Sequence, residues 1–194
     1  MLISLKRLVE LASEEVVSEV FSTFECKQDS DIELFLTEKA ILFDKKGKSK
    51  THLLLDEDEL MSGNIKVAAY FSIAIQSLRI PESTSMSQIR RLDGLYSKRG
   101  GEPISEVPSY LIGQLAKDDK YKTVITGSLV LEYAISVILS AEHLVGGRVA
   151  YIECRDTPKL ITFYENNGFK LLRRDPNDAL LQMYCIIGDY RLKC

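Results

Sequence analysis

The stretch LITFYENNGF, Leu160 to Phe169, decides the reading of this chain when taken together with VPSYLIGQLAKD, Val107 to Asp118. The first reads as a short helix: Pro158 suits its first turn, a tyrosine lies on its face, and Gly168 stops it. The second is an apolar strand that leads into a charged turn. A long apolar helix follows over Gly127–Glu142, and Gly146-Gly147 ends the turn after it. Val149–Cys154, apolar but for Glu153, is read as a strand buried on both faces. Beyond the tyrosine helix, Phe169–Arg173 and Ala179–Ile187 are strands joined by DPND, Asp175–Asp178, a turn sequence.

Towards the N-terminus, Leu5–Val20 has apolar residues at helical spacing and a polar back face. Phe21–Gln28 is short. Ser30 or Asp31 caps a second helix whose apolar face runs from Ile32 to Ile41, and DKKGKSK, Asp44–Lys50, breaks it. Thr51–Leu55 is a strand, DEDELMSGN is a turn with Gly63-Asn64 at its tip, and Ile65–Ile75 returns as a β-rich hairpin partner. Ser77–Glu106 is the least regular part, with Pro81, Gly94, Gly100, Gly101 and Pro103 and a helix expected near Met86–Leu95. An irregular stretch of that length reads as a functional loop or an inserted short helix.

A chain of 194 residues suits one domain over 1–194, with residues 1–23 as an N-terminal helical extension, and 45% hydrophobic residues can fill a core. The net charge of -3 and pI of 5.5 argue against bulk nucleic-acid affinity. No apolar run approaches the roughly 18 residues of a membrane span. Glutamates in MLISLKRLVELASEEV stand where a secretory signal needs apolar residues, so a cytoplasmic protein is expected. The four cysteines form no C-x-x-C pair and His52 lies far from His143, so no metal site is expected; Cys154 and Cys185 read as buried strand thiols.

Element order and residues together resemble the GNAT N-acetyltransferases, and within them the branch of tRNA-acetylating toxins. FECKQDSDIELFL (Phe24–Leu36) is similar to that branch's F-x-C-G-x-x-x-L-D-x-F-L opening, and VAAYFSIAIQSL (Val67–Leu78) to its central strand. VPSYLIGQLAKD resembles V-P-x-x-L-L-G-R-L-A-V-D, and YIECRDTPKLITFYENNGF (Tyr151–Phe169) resembles the family's strand and A-x-x-F-Y-x-x-x-G-F helix. The similarity spans most of the chain, and its last segment is the specific one. The resemblance implies a mixed α/β fold. A central, mostly antiparallel sheet of six or seven strands, flanked by helices, would splay between the Val107 and Val149 strands.

The resemblance also implies acetyl transfer from acetyl-coenzyme A to a primary amine. Tyr164 would be the general acid that protonates the leaving thiolate; the alternative is a tyrosine packed on the sheet. Leu115, Ala116 and Lys117 would hold the pantetheine arm through backbone groups, and Lys122, Thr123, Val124, Ile125, Thr126, Gly127 and Ser128 would cradle the phosphates. That segment departs from the family's glycine-bearing turn, keeping only its last glycine, so an altered and weaker cradle is expected. The α-helix start near Gly127 still offers amides to phosphate. Glu153 is a candidate base, or else a solvent-facing partner of Arg155. Asn166 touches the cofactor or, with Asn167, caps the helix. The DKKGKSK lysines with Arg90 and Arg91 would suit an acidic or tRNA acceptor, and Asp56–Glu59 a cationic one; a solvated loop accounts equally for the lysines. Three functions stay open: a small-molecule or protein acetyltransferase, an enzyme acetylating aminoacyl-tRNA, and a non-catalytic coenzyme A-binding protein. A homodimer is compatible with each.

Overall fold

The computed structural model describes residues 1–174 and 180–191. The expected DPND turn, the start of the following strand at Ala179, and Cys194 lie outside them. In chain order the elements are β1 (Leu2–Ser4), α1 (Leu5–Ala12), α2 (Glu14–Ser22), α3 (Ser30–Leu34), α4 (Ala40–Lys45), β2 (Lys50–Leu55), α5 (Glu57–Met61), β3 (Val67–Arg79) and α6 (Met86–Asp93). Then come β4 (Lys98–Arg99), β5 (Glu102–Pro103), β6 (Glu106–Lys117), α7 (Gly127–Val145), β7 (Val149–Arg155), α8 (Pro158–Asn166), β8 (Lys170–Arg174), β9 (Leu180–Ile186) and α9 (Ile187–Arg191). The main sheet has seven strands in the order β1-β2-β3-β6-β7-β9-β8, and its β6–β7 pair is parallel while β1–β2, β2–β3, β7–β9 and β8–β9 are antiparallel. The mixed α/β architecture expected from the sequence is therefore present, with helices flanking a mostly antiparallel sheet.

Two compact units divide the chain, and it passes through each twice. One comprises Met1–Ala74 and Gly113–Ser136, the other Ile75–Ile112 and Val137–Cys194. The first unit closes around Leu5, Leu8, Val17, Phe21, Phe35 and Tyr70, all buried. Burial of such side chains is worth about 1.5–3 kcal/mol each. The fully buried Tyr70 packs edge-on against Phe24 at 5.4 Å and gives its hydroxyl proton to the Ile32 carbonyl.

Three N-terminal expectations need correction. The 1–23 segment begins with a strand, since β1 pairs with β2 from Leu2↔Leu54 to Ser4↔His52. The helix expected over Leu5–Val20 breaks at Ser13, whose φ of 70° no helix residue adopts. This break leaves Leu11 and Val16 exposed although their spacing suited one continuous apolar face. Asp29, and not Ser30 or Asp31, caps α3 by accepting from the Asp31 amide. Between α3 and α4 the helix carries a π turn over Phe35–Lys39, where the Ala40 amide reaches back to the Phe35 carbonyl. One residue more than an α turn is accommodated there. It leaves Ala40 and Asp44 buried, and the Asp44 carboxylate accepts from Lys50 Nζ at 2.8 Å and the Thr51 amide at 3.3 Å. The expected 56–64 turn holds α5, a short helix that Asp56 caps through the Asp58 and Glu59 amides.

The second unit buries Leu78, Ile89, Leu92, Val107, Val149, Tyr151 and Ile186 against one another. Its irregular stretch contains the expected helix as α6, which ends at Gly94 in a left-handed conformation, φ 94°. The parallel β6–β7 register runs from Ser109↔Val149 to Ile112↔Ile152 and stops there, although both strands continue. Contrary to the expectation of no long apolar run, α7 is 19 residues with a mean hydropathy of 1.5 over its most apolar window, long and apolar enough by length and composition to cross a membrane. Glu132 and Glu142 hid this from inspection of unbroken runs. Only 28% of that window is buried, leaving Leu129, Tyr133, Leu144 and Val145 exposed.

Candidate active site

In the second unit, Tyr164 owes its position to the way α8 begins and ends. Thr157 caps the helix start by accepting from the Leu160 amide, with Pro158 at the first position, where its missing N–H costs nothing. At the other end the Phe169 amide bonds the Tyr164 carbonyl and the Gly168 amide bonds the Glu165 carbonyl, each at 2.9 Å. This is a Schellman closure, and it needs a residue that tolerates the φ of 86° found at Gly168. The apolar contact that accompanies such a closure is the Tyr164–Phe169 ring pair, 5.6 Å between centroids, and Phe163 meets the tyrosine edge-on at 4.8 Å. The side chain is 8% exposed. Burial, with the neighbouring Cys154 thiol second, pushes its phenol well above the ordinary tyrosine range, so the hydroxyl keeps its proton.

Cys154 is itself pushed up to about 11 by burial and then by Asp156. It therefore stays a thiol beside Tyr164. Side chains alternate across a strand, so Glu153 lies on the opposite face of β7 from Cys154. Glu153 is exposed and its carboxylate accepts from Gln182 Nε2 at 2.9 Å, its cross-strand neighbour in the β7–β9 register. The structure thus does not bring Glu153 to the tyrosine. Of the two asparagines, Asn167 caps α8, its Nδ2 donating to the Phe163 carbonyl at 2.8 Å, and Asn166 is exposed.

In the first unit, Gly113–Lys117 is the part of β6 beyond the parallel register. Ala116 packs its side chain in the unit's core, which leaves backbone groups as its means of reaching a ligand. The chain then turns through Lys122–Ser128 into α7. Tyr121 anchors that turn twice: its hydroxyl donates to the Asp56 carboxylate at 2.7 Å, and its carbonyl accepts from the amides of Val124 and Ile125. The Tyr121 bond holds the Asp56 carboxyl below the usual carboxylate range. Thr126 Oγ1 accepts from the Leu129 amide and so caps the helix start. Val124 is 75% exposed.

No protein-family model matches the chain, and no curated protein sequence matches it. Solved structures do. The AtaT toxin complexed with acetyl-methionyl-tRNAfMet superposes with a TM-score of 0.68 at 20% identity, covering 89% of this chain and 91% of that one. A tyrosine-to-phenylalanine mutant of AtaT, bound to the C-terminus of the antitoxin AtaR and to acetyl-coenzyme A, matches at 0.62 and 19% over 88% and 87%. A structure described as a bacterial toxin matches at 0.70 and 17% over 100% and 94%.

The chain has the GNAT fold.

On the GNAT fold, several side chains singled out in the sequence are already committed elsewhere. Lys122 is paired with Asp119 at 2.7 Å, so its charge is largely cancelled. The acidic group Asp56–Glu59 faces inward tasks: Asp56 caps α5 and holds Tyr121, Glu57 meets the Met1 amine at 2.8 Å, and Glu59 lies 3.7 Å from Lys120. Lys45 pairs with Glu14, Lys50 with Asp44, and Arg91 with Asp189. Half of each cluster that pointed to an acceptor is thus held in ion pairs within the chain. Sequence reasoning missed the side chain of Lys117, whose Nζ donates to the Ile125 carbonyl at 2.7 Å and the Lys122 carbonyl at 3.3 Å. A lone lysine at a strand end gives no signal for such a reach. Tyr121 was missed for the same reason.

Proposed function

We propose that the chain moves an acetyl group from acetyl-coenzyme A to a primary amine. What supports this most is Tyr164: a buried phenol held neutral, fixed by the Schellman end of α8, on a fold shared with proteins bound to acetyl-coenzyme A or acetylated tRNA. In the reaction the amine nitrogen forms a bond to the thioester carbon and the carbon–sulfur bond breaks. Tyr164 gives its proton to the sulfur, and the proton shed by nitrogen restores the phenol through water. Glu153, tied to Gln182 and on the other face of β7, is a poor base in this reading, and water takes that role. Leu115, Ala116 and Lys117 hold the substrate's pantetheine arm, and Lys122 to Ser128 with the α7 start hold its phosphates. Such positioning supplies the larger share of the rate gain.

A second, narrower reading is that the amine belongs to an aminoacyl-tRNA, which the AtaT complex with acetyl-methionyl-tRNAfMet favours. The acidic balance of the chain opposes broad nucleic-acid affinity. It does not oppose recognition of an acceptor end. An antitoxin-like partner and a cytoplasmic setting follow from the same reading.

Calorimetry with acetyl-coenzyme A tests the first reading, and heat of binding with a saturating isotherm is expected. No heat and no thermal shift at millimolar ligand would overturn it. Thioester cleavage assayed against pooled amines and charged tRNAs then separates the acceptors. Turnover with charged tRNA alone selects the second reading.

A further inference from the structure

We propose that Lys117 is a positioning residue for the cofactor's diphosphate, doing with one ammonium what a glycine-rich turn does with left-handed backbone. The inference rests on the acetyl-coenzyme A reading above and names how this chain serves it.

The turn from Lys122 to Ser128 has no residue in the left-handed region; the nearest are Gly101 and Gly146. A nest of successive amides, the usual backbone cradle for an anion, needs such residues. Two of the turn's amides, those of Val124 and Ile125, are also already spent on the Tyr121 carbonyl. The turn is therefore held by other means. Lys117 Nζ draws two of its carbonyls, Ile125 at 2.7 Å and Lys122 at 3.3 Å, to a single point. In a trans peptide the C=O and the next N–H point in opposite directions. Turning the Ile125 carbonyl toward Lys117 aims the Thr126 amide away from it, and turning the Lys122 carbonyl does the same for the Thr123 amide. Neither amide donates to another backbone group among the described residues. These are two directed donors just before the N-terminus of α7, where the helix dipole favours negative charge.

The charge of Lys117 also survives. Among the described residues its partners are carbonyls, which neutralise nothing, whereas Lys122 is paired with Asp119 and Lys120 lies by Glu59. Lys117 therefore orients the donors and contributes an uncancelled positive charge to the same turn.

The test compares acetyl-coenzyme A with acetyl-pantetheine, which carries the same thioester and arm but no nucleotide diphosphate. Dissociation constants for both ligands would be measured on the full chain and on Lys117→Met and Lys117→Arg. The preference for acetyl-coenzyme A over acetyl-pantetheine should fall about tenfold or more in Lys117→Met, the loss expected of charge-assisted hydrogen bonds. Lys117→Arg, which keeps the charge and the donors, should restore most of it. An unchanged preference in Lys117→Met overturns the proposal, whether both affinities hold or both fall together, since a merely structural lysine would weaken the two ligands alike. Lys117→Gln carries the same comparison if the methionine variant does not fold. Failure of the unsubstituted chain to bind acetyl-coenzyme A is a different result, and it overturns the reading of function on which this proposal stands.

Discussion

Tyr164 serves three purposes through three of its parts. Its carbonyl closes α8, its ring packs between Phe163 and Phe169, and its hydroxyl is the proposed acid. Removing only the hydroxyl separates the last purpose from the first two. Tyr164→Phe should lower the maximal rate by about 100- to 10,000-fold, the usual worth of general acid catalysis. That corresponds to about 3 to 5 kcal/mol of barrier. Affinity for acetyl-coenzyme A should hardly change, because the proton is needed only as the carbon–sulfur bond breaks. Single-turnover kinetics with the true acceptor would check this, and full turnover by the variant would assign Tyr164 to packing alone.

At the scale of the element, α8 shows how a helix end can matter more than a side chain. Gly168 sits at φ 86°, where a Cβ is strained, so Gly168→Ala should destabilise the protein by about 1 kcal/mol. For a chain of this size the melting temperature should drop by roughly 2–4 °C. Relaxation of the closure would also shift Tyr164, so the rate should fall while the phenol remains. A melting curve and a rate measured on the same sample check both; a stability loss with full activity would show that the closure does not position the tyrosine. This helix was legible in the sequence because its determinants are local: Thr157, Pro158 and Gly168 act within a turn of themselves. The turn at Lys122–Ser128 was not legible, because the groups that shape it, Lys117 and Tyr121, precede it in the chain and act through backbone carbonyls, to which the identity of the turn residues is blind. The break at Ser13 escaped for the converse reason. The apolar spacing from Leu5 to Val20 suits one helix, and only packing decides that two helices bury Leu5, Leu8, Val17 and Phe21. Of the proposed site, the tyrosine and the strand could be read from the sequence; which face of β7 Tyr164 packs beside could not, and that placement, next to Cys154, is what separates it from Glu153.

For the whole molecule, burial of neutral acids predicts how stability varies with pH. Burial pushes the Tyr151 phenol up to about 12 and the Cys154 thiol up to about 11, and it raises Tyr70 and Tyr164 as well. Each group is neutral in the fold, with a folded pKa above its unfolded value. Its contribution is complete below the unfolded pKa and is lost as pH rises, because the unfolded chain then releases protons that the folded chain retains. The ordinary values are 9.0 for the thiol and 10.0 for the phenols, so urea midpoints should begin to fall near pH 9 and fall faster above pH 10. A midpoint that holds constant through pH 11 would show that these groups titrate freely in the fold. The π turn over Phe35–Lys39 bears on a different kind of change. Because that turn takes up one residue more than an α turn, losing one residue there would let the segment relax into an ordinary helix with the faces on either side still in register. Asp44 would keep its reach to Lys50 and Thr51, and Ala40 its place in the core. A further inserted residue, with no slack left to take it up, would instead turn everything after it by about 100° around the axis and draw Asp44 away from both partners. The spare residue of this segment thus lies inside a helix, where proteins more often keep it in a loop.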